Sequence, residues 1–75
     1  MATGHGKRNT VYSLYLEGYR LYNVGANKGW FSTEGGITEA YFLARRRFGR
    51  HVTAMEFQAD DLRNCRRINV RDFVR

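Results

Sequence analysis

Between residues 10 and 24 apolar and aromatic side chains alternate with polar ones in two runs, TVYSLYL and YRLYNV, joined by Glu17-Gly18. Period-two alternation broken by a two-residue join that ends in Gly predicts a β-hairpin. Glu tolerates positive φ poorly, which favours a type I turn with Gly18 in the left-handed region over a strict type I′ turn. Tyr12, Leu14 and Leu16 share one face of the first strand, against Val11, Ser13 and Tyr15; in the second, Tyr19 and Leu21 oppose Arg20, Tyr22 and Val24. Neither strand is one-sided, so the pattern does not choose the buried face.

GANKG (Gly25 to Gly29) interrupts the alternation, the aromatic pair Trp30-Phe31 follows, and Ser32 to Gly36 reads as loop. The period then changes. Ile37, Ala40, Tyr41, Ala44 and Phe48 fall on one stripe at 3.6 residues per turn, which predicts an amphipathic helix. Thr38 is the expected N-cap, with Ile37 and Phe42 as a hydrophobic staple, Glu39 at the positive end, Arg45 to Arg47 at the negative end and Gly49 as terminator. His51 to Phe57 reads as a strand, QADDLRNC as a polar link and RINVRDFV as a last strand, at an edge because its arginines discourage further pairing. The predicted order is β-β-α-β-β: an α+β fold, with one helix packed on one face of a small, mainly antiparallel sheet.

The 75 residues allow one domain, expected over residues 10–75, preceded by a flexible basic arm over 1–9 that carries Lys7 and Arg8. Hydrophobic residues make up 43% and charged ones 27%, enough apolar surface to fold but little to spare in a chain so short. Net charge is +6, and eleven Arg stand against two Lys. Guanidinium groups pair with carboxylate or phosphate and stack on bases, so the excess predicts an acidic partner. The single Cys65 excludes an internal disulfide, and no long apolar stretch predicts a membrane span or a secretory leader. A soluble protein of the cytoplasm is expected.

Catalysis is not expected. Cys65, Ser13 or Ser32 with His5 or His51 is a set that any short chain supplies by chance, and one Cys with two distant His does not make a zinc pattern. Asp60-Asp61 suits a turn or cap better than a Mg²⁺ pair, Cys65 suits a half-buried small residue, and GANKG completes no phosphate-loop motif. No cofactor or metal is implied. The informative groups are Arg45, Arg46, Arg47 and Arg50, then Arg63, Arg66, Arg67, Arg71 and Arg75. They suit contact with phosphates or an acidic protein surface, and equally a solvated face that complements the helix dipole. Both groups form one patch if the last strand runs beside the helix terminus.

Aromatic side chains are 15% of the chain, and Tyr12, Tyr15, Tyr19 and Tyr22 recur in a hairpin that cannot bury both faces under one helix. Exposed rings beside Arg stack on single-stranded bases or anchor a protein interface. No RNP1-like run is present, which disfavours an RNA-recognition motif. Trp30, Tyr15, Tyr22, Arg46 and Arg67 are the expected anchors.

The segment ITEAYFLARRRFGRHVTAMEF (residues 37–57), helix then strand after a β-rich stretch, resembles the strand-helix-strand core of very small phage-encoded host-takeover proteins. Among these are modifiers of bacterial RNA polymerase and anti-CRISPR proteins. The resemblance implies a non-enzymatic protein in a bacterial host that docks stoichiometrically on a nucleic-acid machine and blocks or redirects it. The basic charge departs from acidic DNA mimics. Direct binding of DNA or RNA, with Lys7, Arg8 and the arginine groups on phosphates and tyrosines on bases, is the alternative, and a ribosome-associated structural subunit a more remote one.

Overall fold

The first strand, β1 (Thr10–Leu16), turns through Glu17 at φ 53° and Gly18 at φ 85° into β2 (Tyr19–Arg20). The chain is described here from a computed structural model, which covers residues 9–24 and 28–74. Positive φ at both central positions makes this a type I′ turn, not the type I turn expected. The I′ twist matches that of the flanking strands, and the Glu17 carboxylate is held by the Arg50 guanidinium, which helps to fix the unfavourable backbone. β2 is also shorter than the run YRLYNV predicts. Beyond Arg20, among the described residues, Leu21 N–H still bonds to Leu14 O of β1 (2.9 Å), and Phe31 then takes over the same edge, exchanging two 2.8 Å backbone bonds with Tyr12.

The helix α1 (Glu34–Phe48) begins one turn earlier than its stripe suggests. Its N-cap is Thr33, not Thr38: Thr33 Oγ1 accepts from Gly36 N–H at 2.9 Å, and Glu34 occupies the positive first turn. Ile37 is therefore an interior helical residue, and the expected staple with Phe42 does not form at the cap. Two glycines in the first turn cost helix propensity, roughly 1 kcal/mol each. The cap and the complete burial of Ile37, worth about 2 kcal/mol, offset that cost. A Cβ on Gly36 would stand 3.0 Å from Thr33 Oγ1, so glycine there gives the cap its room. The other end follows expectation: Gly49, at φ 63°, donates its N–H to Arg45 O.

After the helix come β3 (Thr53–Gln58), β4 (Asp61–Ile68) and a 3₁₀ turn (Val70–Phe73). All pairings are antiparallel, in the order β2-β1-β3-β4. Most of the expected polar link is thus strand, and the expected last strand ends at Ile68, where Asn69 accepts from Arg71 N–H and starts the 3₁₀ turn. The β3–β4 register jumps between Phe57↔Cys65 and Gln58↔Asp61, so residues 62–64 form an irregular stretch. A polar, bulged strand of this kind has no apolar alternation by which to announce itself.

The register sorts the sheet into two faces. Tyr12, Leu14, Ala54 and Ile68 lie on the side of the helix stripe, and share one core with Ile37, Ala40 and Ala44. Val11, Ser13, Tyr15, Met55 and Phe57 lie on the other. The hairpin face that the sequence left open is therefore the Tyr12/Leu14 face. Val52 and Val70, each 1% exposed, join this core from either side of the last hairpin. Asn9, assigned by sequence to the arm, accepts at its carbonyl from Ala59 N–H at the end of β3.

Candidate binding surface

The arginines of the helix terminus differ in what already holds them. Arg45 donates to Tyr41 Oη at 3.1 Å and lies against the same ring. Arg47 donates to Asn23 O at 2.9 Å, with its guanidinium carbon 5.4 Å from the Phe48 ring centre. Arg50 pairs with Glu17. Arg46 has no hydrogen-bond or ion-pair partner among the described residues, and with Val24, Leu43 and Arg47 it rims a shallow depression of about 250 Å³.

On β4 seven of the eight residues are exposed. Arg63 bonds through both its backbone N–H and its Nε to Asp61 Oδ1, each at 3.3 Å, so Asp61 serves as a local turn cap. Arg66 donates to Glu56 Oε1 at 2.7 Å, and Glu56 is buried on the helix side of the sheet, its side chain only 9% exposed. That hydrogen bond, then the carboxylate charge, raises the Arg66 pKa above its ordinary value. Arg66 is thereby committed to the fold. Arg67, one residue on and on the opposite face, has no such partner among the described residues. Arg71 lies over Phe42, 5.6 Å from the ring centre.

These two groups face different partners: Arg47 and Arg50 reach toward the β1–β2 side, whereas β4 is the opposite edge of the sheet. Lys7, Arg8 and Arg75 lie outside the described residues, as do Gly25, Ala26 and Asn27 of the GANKG segment.

The aromatic anchors are partly used up by the fold. Trp30 is half-buried, edge-on to Phe57 with centroids 5.3 Å apart, and Tyr15 is tilted against the same ring at 6.4 Å. Arg20, which sequence reasoning did not single out, sits between two rings: its guanidinium carbon is 4.4 Å from the Trp30 centre and 4.8 Å from that of Tyr22. It also donates to Tyr22 Oη at 3.0 Å. The alternation had placed Arg20 and Tyr22 on one face, but nothing local told that Trp30 returns to meet them. Gly29, at φ 101°, fits beneath this stack because a Cβ would approach Tyr22 Cδ1 to 3.1 Å. Tyr22 and Tyr19 remain 53% and 78% exposed, so they are the open rings.

Cys65 is exposed rather than half-buried, since its position opposite Phe57 is at the uncovered edge. Among the described residues no three His, Cys, Asp or Glu side chains are grouped to hold a metal ion, and no helix is long and apolar enough to cross a membrane. Compared with known proteins, the chain matches no family model, no curated sequence and no solved structure.

Proposed function

We propose that this chain is a non-enzymatic binding protein that regulates a nucleic-acid machine, bacterial RNA polymerase or a CRISPR effector, by stoichiometric docking on an acidic surface of that machine. The observation that carries the reading is β4: an exposed edge strand with three arginines, of which only Arg66 is committed to a buried carboxylate. Arg67, and Arg46 at the helix terminus, keep guanidinium forks available for carboxylates of a partner. With the helix on one side of the sheet and Tyr15 and Trp30 packed on the buried Phe57 on the other, the β4 edge stays open for contact. The resemblance to phage-encoded host-takeover proteins implies the same mode of action, in the cytoplasm of a bacterial host.

Direct binding of DNA or RNA is the second reading, favoured by Tyr22, an exposed ring already stacked on a guanidinium. The two readings separate by pull-down with the tagged chain from bacterial extract, with and without nuclease, at low and moderate salt. A discrete protein partner that survives nuclease supports docking. Loss of all captured material with nuclease overturns it in favour of nucleic-acid binding, whose affinity should fall by about 0.7 to 0.9 log units per log unit of salt for each phosphate neutralised.

A further inference from the structure

We infer that the outer edge of β4 is a strand-addition site, which takes an extended acidic peptide segment of a protein partner as a fifth strand. The inference rests on the docking reading above and specifies its mode. Tyr12 spends its backbone N–H and C=O on Phe31, away from β3, so Tyr12↔Glu56 is a non-bonded pair of the β1–β3 ladder. Alternation then turns the backbone groups of Met55 and Phe57 toward β1 and those of Ala54 and Glu56 toward β4. Their partners Ile68 and Arg66 point back to β3. The N–H and C=O of Cys65 and Arg67 therefore point outward, where no element of the sheet follows and no backbone bond is made among the described residues.

Edge strands are usually blunted by bulges and charge. Here the irregularity is confined to residues 62–64, and the stretch from Cys65 to Ile68 is regular. The charge selects the occupant. A second copy of this chain is a poor fit, because two-fold antiparallel pairing centred on Cys65 would set Arg63 across from Arg67 at both ends. A phosphate backbone satisfies the guanidinium groups but has no peptide ladder to match the outward groups two residues apart. An extended segment with acidic side chains beside Arg67 satisfies both at once, the main-chain bonds giving affinity and the carboxylates giving register.

The test uses the whole chain and a fluorescein-labelled short peptide of alternating Glu and Thr, read by fluorescence anisotropy. Two further peptides carry N-methyl groups on alternate amides, along one edge or along the other, and a single-stranded oligothymidylate is the nucleic-acid probe. The expected result is that the parent peptide binds, and that methylation along one edge weakens binding by about tenfold or more while methylation along the other leaves it unchanged. Arg67→Glu, at an exposed position, weakens binding without loss of the far-UV dichroism spectrum. Equal tolerance of both methylated peptides, preference for oligothymidylate, or self-association in sedimentation with no peptide bound would each overturn strand addition. The docking reading fails separately: nuclease-resistant capture of a machine with no edge dependence in the peptide series leaves docking standing and removes only this mode.

Discussion

At the residue scale, adjacent arginines on β4 have opposite duties. Arg66 neutralises Glu56, a carboxylate buried against the helix side of the sheet, whereas Arg67 faces the other side with no partner among the described residues. Arg66→Ala strands a buried charge and should lower the melting temperature, while Arg67→Ala should leave the melt unchanged; a calorimetric comparison of the two reads this directly. The sign of the pH dependence follows from the raised Arg66 pKa. Its contribution is present throughout the physiological range and is lost only in strong alkali, as pH rises through the folded-state value. Trp30 shows the complementary case. Sequence marks it as an anchor among the aromatics expected to be exposed beside Arg, but here its ring is half-buried on Phe57 and under Arg20. Trp30→Ala should therefore cost about 2 kcal/mol in urea unfolding, less than a fully buried Trp, and any loss of binding it causes is a loss of fold.

At the scale of elements, the helix was legible where its stripe is dense and misread where local chemistry offers two caps. Both Thr33 and Thr38 stand before a run with helical period, and two glycines between them argue against helix on propensity alone. Burial of Ile37 decides for the earlier start. The expected outcome is that Thr33→Ala costs about 1 kcal/mol, and Thr38→Ala close to nothing, because the Thr38 hydroxyl is buried with no hydrogen-bond partner and is not a cap. Equal losses in chemical denaturation would return the cap to Thr38. The strands divide in the same way. β1 and β3 announce themselves by alternation and β-branched or aromatic content, while β4 begins with Asp61-Leu62-Arg63-Asn64, residues that local propensity assigns to turns. Its strand state comes from pairing with β3, a non-local interaction that a period-based reading cannot contain. The brevity of β2 is likewise non-local, since it depends on Phe31 returning to the edge of β1.

At the scale of the molecule, one helix and a four-stranded antiparallel sheet concentrate the core on the Tyr12/Leu14 face and leave an arginine-bearing edge. The α+β class and the position of the helix between two strand pairs were readable from the order of periods along the chain. The charge excess was readable too, but not its division, because which guanidinium is spent on the fold depends on the β3–β4 register that brings Arg66 to Glu56. The account predicts that the available arginines, and not the total charge, determine binding. Arg46→Glu with Arg67→Glu, both at exposed positions, should melt within a few degrees of the parent, the difference being the cost of a reversed charge in the last turn of the helix.

The decisive measurement is capture from nuclease-treated bacterial extract by the parent chain and by that double charge-reversal variant, side by side, with their melts recorded. The account predicts one discrete partner retained by the parent and lost with the variant, although the variant still melts within a few degrees of the parent. Retention of the same partner by the variant would contradict it, and so would a parent chain that retains nothing once nucleic acid is removed.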